Sequence, residues 1–121
     1  ALIDTMQSLD CPVITVGEGV VASMAAVILA CGDHRQVYRH TQVLIHQLMG
    51  GMGMAQQTDI EIVAQHTAAM RAELDELLAE HGNLSAQEFH ELTERDCWCN
   101  ARRALELGLV DEVIAPSKKA L

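Results

Sequence analysis

Aromatic residues are almost missing from this sequence: Trp98, Tyr38 and Phe89 are the only three in 121 residues. Half of the chain is nevertheless hydrophobic and 21% is charged, which supplies enough apolar material for a packed core and excludes a disordered protein. The core must therefore be built from aliphatic side chains and methionine. This composition suits helices packed on a buried sheet, and the length suits a single domain over residues 1–121.

Basic residues are also scarce. The chain has 8 Lys and Arg against 17 Asp and Glu, which gives a net charge of −9. Because a surface this acidic repels phosphate groups, the sequence argues against nucleic acid and against anionic membrane surfaces as partners.

A long apolar run is absent as well. The longest apolar stretch, residues 20–31, is interrupted by Ser23 and falls short of the about 20 residues that a membrane span requires. The chain does not open on a charged segment followed by an apolar one. No export signal is therefore recognised, and a cytoplasmic protein is expected.

The four cysteines, Cys11, Cys31, Cys97 and Cys99, lack the spacing of a disulfide framework. Free thiols in a reducing cytosol are the expected state. Cys97 and Cys99 form a C-x-C pair with no second pair or nearby histidine to complete four ligands, so no metal site is predicted.

Helical and extended patterns alternate along the chain, which is typical of an α/β protein with a parallel sheet. The predicted elements are a helix over residues 1–9, a buried strand over 13–16, a fully buried helix over 23–31, short strands over 37–38 and 43–45, a helix capped by Ser85 with Glu88, a helix capped by Asn100 over 101–107 and ended by Gly108, and a final strand over 110–114. The first helix has no cap before it, so we expect that upstream sequence is absent from this chain.

The clearest helix is predicted over residues 58–81. Thr58 and Glu61 have the spacing of a capping box, in which each side chain satisfies a free N–H of the first turn. One stripe then recurs every three or four positions and consists of Ile60, Val63, Thr67, Met70, Leu74 and Leu77. A helix this long in a small domain is expected to project from the body or to pack on another chain.

Three polar residues are candidates for catalysis, and each also has an ordinary structural explanation. Ser23 lies where a glycine turn leads into a helix, so it could be a nucleophile with the Met24 N–H as oxyanion donor, or a simple N-cap. His46 follows an apolar strand and could be a general base, or a hydrogen-bonded core histidine. Asp96 could orient that base, or belong to a run of surface charges.

Five segments occur in a specific order along the chain. They are residues 19–26 around Ser23, Leu44-Ile45-His46-Gln47 followed by Gly50-Gly51, Thr58-Asp59-Ile60-Glu61, Thr93-Glu94-Arg95-Asp96, and residues 104–111. In this order they resemble the nucleophile segment, histidine segment, handle-helix start, aspartate motif and closing helix and strand of ClpP, the proteolytic-subunit family of the Clp protease. The resemblance runs from about residue 3 to residue 114 and covers nearly the whole chain.

The resemblance implies the ClpP/crotonase-like α/β fold, in which a parallel sheet is flanked by helices and the helix over residues 58–81 protrudes as a handle. It implies a Ser-His-Asp endopeptidase in which Ser23 is the nucleophile, His46 the general base and Asp96 its orienter. The Met24 N–H would then be one oxyanion donor, and no cofactor or metal is implied.

The resemblance also implies partners. Met49, Gly50 and Gly51 would pair with the substrate backbone as an added strand. The handle would interlock two stacked heptameric rings of this subunit into a chamber. An AAA+ unfoldase ATPase would feed unfolded polypeptides into that chamber.

Three departures from the family pattern bear on the site. Leu48 stands where the family usually has proline, and Ala25 stands where it usually has glycine. The family places a Gly-Gly oxyanion segment upstream of the point where this chain starts. The 121-residue chain is therefore expected to lack one oxyanion donor, and such a loss typically costs about 100- to 1,000-fold in rate.

Two alternatives to a protease stay open. One is a structural subunit that builds ClpP-like rings and cuts nothing. The other is an acyl-CoA enzyme of the wider crotonase superfamily, which shares the fold.

Overall fold

Six strands and five helices are formed by residues 1–118, the part of the chain that the computed structural model describes. In chain order they are α1 Leu2–Ser8, β1 Ile14–Gly17, β2 Val20–Ala22, α2 Met24–Ala30, β3 His34–Tyr38, β4 Gln42–Ile45, α3 Gln57–His81, α4 Ala86–Leu92, β5 Cys97–Asn100, α5 Ala101–Glu106 and β6 Glu112–Ile114. The last three residues of the predicted domain 1–121 lie outside this range. No helix within residues 1–118 combines the length and the hydrophobicity that crossing a bilayer requires.

The strands form two three-stranded sheets, in the orders β1-β3-β6 and β2-β4-β5. Every pair is parallel except β4 with β5, which is antiparallel. The predicted α/β class with a mainly parallel arrangement and a long helix is therefore confirmed. Sequence patterns missed β2 and β5, the two outer strands of the second sheet.

Strand β1 does not match the prediction that residues 13–16 are buried. Ile14 is 61% exposed and Val16 is 50% exposed. The reason is position, since β1 lies at the edge of its sheet and pairs only with β3. The β-branched, apolar composition of residues 13–16 therefore predicted a strand correctly and its burial wrongly.

Helix α2 is only partly buried. Ala26, Val27, Leu29 and Ala30 face the core, whereas Met24 is exposed. The expectation of a fully buried helix is wrong for the first turn, because that turn borders an open cavity.

The core is aliphatic apart from Phe89, Cys31 and Cys99, as the composition predicts, but the expected methionines are absent from the buried core of residues 1–118. It also holds one cation, Arg35, whose guanidinium donates to both carboxylate oxygens of Asp111 at 2.7 and 3.1 Å. The same guanidinium donates to the carbonyl oxygens of Ala30 at 3.0 Å and His81 at 2.9 Å. Because Arg35 lies in β3 and Asp111 directly precedes β6, this contact ties one sheet to the ends of α2 and α3. We call Arg35 and its four acceptors the arginine clamp.

Helix α3 is 25 residues long, or about 37 Å at 1.5 Å per residue. It begins at Gln57, one residue before the predicted start, and its N-cap residue Gln56 makes no side-chain capping bond. The predicted capping box is therefore wrong: Thr58 already lies within the helix, and Glu61 instead accepts a hydrogen bond from the Gln57 side chain at 3.2 Å.

The N-terminal half of α3 projects from the body. Residues 57–70 are exposed except for Thr67, and they include the apolar side chains of Ile60, Val63 and Met70. The C-terminal half turns Leu78 and Asp75 into the interior.

The other predicted helix ends are confirmed. Ser85 and Glu88 form a reciprocal capping box, with hydrogen bonds of 3.0 and 3.1 Å. Asn100 accepts a hydrogen bond from the Arg103 N–H at 2.8 Å. Gly108 follows α5 with φ +74°, a left-handed conformation in which glycine avoids the strain of a side chain.

Candidate active site

Ser23 has the most unusual backbone among the described residues. Its φ is 62° and its ψ is −127°, and no other non-glycine residue within residues 1–118 has a positive φ. Such a conformation costs about 1–3 kcal/mol and persists only where the surrounding structure holds it. Here the Ser23 N–H donates to the Leu44 carbonyl, and the Ser23 carbonyl accepts from the Ala26 N–H, both at 3.0 Å.

The hydroxyl of Ser23 is not used as a helix cap. Ser23 occupies the N-cap position of α2, but its side chain makes no capping hydrogen bond. The ordinary explanation therefore does not account for a serine at this strained turn. Met24 is the first helical residue, so its N–H is one of the first-turn donors that have no acceptor within the helix.

His46 comes directly after β4. Its Nδ1 donates to the Gln47 carbonyl at 2.6 Å, because a carbonyl oxygen can only accept. In the neutral ring this bond fixes the proton on Nδ1 and leaves Nε2 as an acceptor. That is the tautomer which a general base requires.

The second sheet brings all three predicted catalytic residues to one end. Strands β2 and β4 are parallel, with Ala22 opposite Leu44, so Ser23 and His46 both leave the sheet at the same edge. Strand β5 is antiparallel to β4, with Ile45 opposite Cys97, so the residue that precedes β5 lies at that edge too. That residue is Asp96.

Asp96 differs from the other two in its contacts. It is exposed, and it makes no hydrogen bond among residues 1–118. The acceptor for His46 Nδ1 in this structure is the Gln47 carbonyl instead. The role of Asp96 as orienter of the base therefore stays a prediction.

Ser23 and His46 open on one cavity of about 350 Å³. Its walls are mainly apolar and come from α2, β4 and α3: Met24, Val27, Ile45, Leu48, Leu74 and Leu78. A cavity of this size and lining can receive one long side chain of a bound peptide.

Two charged residues in this cavity were missed by sequence reasoning. Arg71 donates to the Gln47 side-chain oxygen at 2.9 Å, to the His90 carbonyl at 3.0 Å and to Glu94 at 3.1 Å. Asp75 lies one turn later and accepts a hydrogen bond from His90 Nδ1 at 2.7 Å. Both line the cavity. The sequence did offer a signal for them: Arg71 and Asp75 are four residues apart, so they lie on one face of α3, the face that also carries Leu74 and Leu78.

The segment after His46 has no regular structure until α3 begins. Met49 is 83% exposed, and Gly50 and Gly51 are exposed beside it. Within residues 1–118 the backbone of these three residues makes no hydrogen bond. Unpaired backbone next to the cavity is compatible with the predicted pairing to a substrate strand, which stays a prediction.

Among residues 1–118, no three His, Cys, Asp or Glu side chains form a group that could hold a metal ion. The sulfur atoms of Cys97 and Cys99 lie 3.7 Å apart, and the four cysteines are free thiols.

Comparison with known proteins gives a consistent result. Residues 1–117 match the family model described as Clp protease. The ATP-dependent Clp protease proteolytic subunit of Streptococcus sanguinis is 40% identical over 120 residues, which are 97% of this chain and 61% of that protein. The subunits so named from Lactococcus lactis subsp. cremoris and Porphyromonas gingivalis are 38% and 36% identical, over 94% and 96% of this chain and 59% and 53% of their own lengths. The chain thus spans about 61% or less of these curated relatives.

Proposed function

The chain belongs to the Clp protease family, and we propose that the full-length protein is a serine endopeptidase subunit. Ser23 is the nucleophile, His46 the general base and Asp96 the residue that orients the base. The observation that supports this most is the sheet edge at which a strained serine, a histidine with a free Nε2 and an aspartate come together.

The proposed reaction follows the general scheme of acyl transfer. The Ser23 Oγ attacks the carbonyl carbon of a peptide bond while His46 Nε2 takes the hydroxyl proton. The C–N bond then breaks as His46 gives this proton to the leaving amine. A water molecule then attacks the acyl-enzyme while His46 Nε2 takes its proton. The ester bond to Ser23 breaks, His46 returns the proton to Ser23 Oγ, and the acyl group leaves as a carboxylic acid.

Two groups support the charge that develops in this reaction. The Met24 N–H is one donor for the oxyanion, at the N-terminus of α2. Asp96 takes over the Nδ1 proton contact from the Gln47 carbonyl in the reactive state, since the register of β4 and β5 sets it at the same edge as His46. A carboxylate there stabilises the imidazolium better than a carbonyl does.

The substrate proposal rests on the open segment after His46. Met49, Gly50 and Gly51 pair with the backbone of an extended peptide as an added strand. Unfolded polypeptides fit this mode, because a folded protein rarely offers free backbone along several residues.

The assembly is proposed from the resemblance together with the exposed stripe of α3. Ile60, Val63 and Met70 would be costly to leave in water on a projecting helix and are suited to burial against a second copy. We propose two stacked heptameric rings, fed by an AAA+ ATPase in the cytoplasm.

One observation favours a second candidate, a structural ring subunit that does not cut. Asp96 is exposed, and the base is held by a backbone carbonyl. An acyl-CoA enzyme gains no comparable support, because the three relatives compared above are each named as Clp protease proteolytic subunits.

The test is labelling of the full-length protein with a fluorophosphonate, followed by peptide mass mapping. We expect an adduct on Ser23 that is lost in Ser23→Ala and in His46→Ala. Ser8→Ala, which removes an exposed serine of α1, should label normally. An assembled ring without any adduct would refute the protease and support the structural subunit.

A further inference from the structure

Strand β5 carries two thiols on the same face. Cys97 and Cys99 are two residues apart in this strand, and side chains two residues apart in a strand point to the same side. Their sulfur atoms lie 3.7 Å apart, and both are free thiols. Cys97 is half-buried, whereas Cys99 is completely buried. The pair therefore combines one thiol that a small reagent can reach with one that its neighbour shields.

A disulfide between these two residues would change the length of the strand. A disulfide holds its sulfur atoms about 2 Å apart and its two Cα atoms most often about 5.5–6 Å apart. Alternate Cα atoms of an extended antiparallel strand are about 6.8 Å apart, at a rise of about 3.4 Å per residue. Strand β5 can yield, because it lies at the edge of its sheet and pairs only with β4. Bond formation is therefore expected to shorten β5 by about 1 Å.

The two ends of β5 differ in how firmly they are held. Asn100, at the C-terminal end, accepts the Arg103 N–H at 2.8 Å as the cap of α5, and it lies opposite Gln42 in the ladder. Asp96, just before the N-terminal end, is exposed and lies outside any helix or strand. A shortened β5 is therefore drawn towards Asn100, and Asp96 moves away from the sheet edge at which His46 lies.

We infer that Cys97 and Cys99 form an oxidation site, and that their disulfide withdraws Asp96 from His46 and slows the reaction at Ser23. The oxidant is a small-molecule disulfide such as oxidised glutathione. Formation of the disulfide rests on the geometry of β5 alone, whereas its effect on Ser23 rests on the proposed function.

The oxidation consists of two thiol–disulfide exchanges. Cys97 loses its proton to solvent and attacks one sulfur of the small disulfide, and the other half leaves as a thiolate that takes up a proton. Cys99 then loses its proton to solvent and attacks the Cys97 sulfur, so that the second half leaves and is protonated in the same way. Two protein thiols are oxidised, and one small disulfide is reduced to two thiols.

The order of the two steps follows from burial. Burial, followed by the neighbouring Cys97, raises the pKa of Cys99 to about 12. Cys99 therefore stays protonated and is protected from reagents in solution. It reacts once Cys97 carries the mixed disulfide, because the sulfur to be attacked is then already beside it.

The first experiment equilibrates the full-length protein with glutathione buffers of rising oxidised-to-reduced ratio and then blocks the remaining thiols with N-ethylmaleimide. Trypsin cuts after Arg95 and Arg102, so both cysteines fall in one peptide of residues 96–102. We expect this peptide to stop reacting with N-ethylmaleimide and to be lighter than the dithiol by two hydrogen atoms. A peptide that keeps both thiols, or carries only glutathione, at the highest ratio would overturn the inference.

A second measurement follows the strand itself. Trp98 lies between the two cysteines and is 57% exposed. Its fluorescence should change with the same midpoint ratio as the disulfide, and Trp98→Phe identifies its share of the signal. A disulfide that leaves this fluorescence unchanged would overturn the proposed movement of β5.

The effect on the site is measured as kcat for a fluorogenic peptide and as the rate at which a fluorophosphonate labels Ser23. We expect both to fall at least about tenfold on oxidation, with KM changed less, and to recover in dithiothreitol. Cys97→Ser keeps the size of the side chain but cannot form the bond, so it should not respond to oxidation. Cys11→Ser removes an exposed cysteine outside the pair and should respond as the wild type does.

The outcomes separate this inference from the proposed function. A disulfide that leaves kcat and the labelling of Ser23 unchanged would overturn the inference and leave the protease standing. A loss of activity that persists in oxidised Cys97→Ser would also overturn it. A disulfide with its Trp98 response, in a protein that never forms a Ser23 adduct, would support the oxidation site and refute the protease.

Discussion

Two mostly buried arginines stabilise different parts of this molecule in different ways. Arg35 in the arginine clamp places donors on both oxygens of Asp111 and on two main-chain carbonyls. Arg71 beside the candidate site also makes contacts through its terminal nitrogens, but its Nε is buried without a hydrogen-bond partner within residues 1–118.

The acceptors explain the difference. Arg35 donates to the ends of α2 and α3 and to Asp111, the residue before β6. We call these helices and the sheet β1-β3-β6 the frame. Arg71 bonds Gln47 and Glu94, which lie on the two loops that carry His46 and Asp96. An unpaired buried N–H costs free energy. Among residues 1–118, the one buried side-chain polar atom without a partner is thus on the arginine that joins the loops of the site to the His90 carbonyl of α4.

The largest effect on stability is expected from Arg35→Met. The change removes donors from two carbonyls and the guanidinium from Asp111, which keeps only the backbone N–H of residue 35 as a hydrogen-bond donor. The free energy of unfolding should therefore fall by about 3 kcal/mol. Urea unfolding followed by circular dichroism measures it. Arg102→Met is the control, because Arg102 is 88% exposed and pairs only with Glu106, and it should cost less than about 0.5 kcal/mol. Equal losses would show that the clamp adds nothing to the frame.

Arg71→Met should reduce activity more than stability, whereas Arg35→Met mainly reduces stability. Because the variant also removes the unpaired Nε, we expect a stability loss of only about 1 kcal/mol. Gln47 and Glu94 lose their common partner, so kcat of the full-length protein should fall about tenfold while KM changes less. Steady-state kinetics separates the two constants. A fall in kcat of the same size in folded Arg35→Met would abolish the distinction between the two arginines.

The frame was easier to predict from the sequence than the site. The long helix, the caps at Ser85 and Asn100 and the parallel α/β arrangement follow from local rules that need no tertiary contacts. Burial of β1 was wrong, because an apolar strand does not reveal that it will be an edge. Whether a strand has a neighbour on one side or on both is decided by the tertiary fold, and the sequence of a short segment contains little information about it.

The candidate site was predictable only in part. Ser23, His46 and Asp96 were candidates from their local positions, and the motif resemblance then joined them. The neighbouring strands β2 and β5 were missed, since β2 is part of the apolar stretch 20–31 that continues into α2, and β5 contains no β-branched residue. Arg71 and Asp75 were missed because charged residues on a helix are usually solvated. Only the tertiary fold shows that this face of α3 covers a cavity.

A smaller effect is expected from pH acting on the arginine clamp. Hydrogen bonds from the Arg35 side chain lower the pKa of Asp111 below its usual value. The stabilisation is thus present above the unfolded pKa of about 4 and is lost as the pH falls through the lower folded pKa. Asp111→Asn should therefore destabilise the protein at pH 7 and converge with the wild type in acid. Glu76→Gln, an exposed carboxylate of α3, should show little difference at either pH; a constant gap for Asp111→Asn would contradict the linkage.

The smallest effect is local opening, which the thiols can report. Burial raises the pKa of Cys31 to about 11 and that of Cys99 to about 12, whereas Cys11 is exposed. At pH 8 iodoacetamide should alkylate Cys11 first, and the buried thiols only when their surroundings open.

Cys31 ends α2 beside the arginine clamp, and Cys99 lies in the sheet of the site. Arg35→Met should therefore raise the alkylation rate of Cys31 severalfold more than that of Cys99, whereas Arg71→Met should not raise that of Cys31 selectively. Mass spectrometry of the digested protein gives both rates in one sample, with Cys11 as the internal reference. If every variant raised the two rates by the same factor, the frame and the site would open as one cooperative unit. The two arginines would then differ only in their hydrogen bonds, and not in the regions that they stabilise.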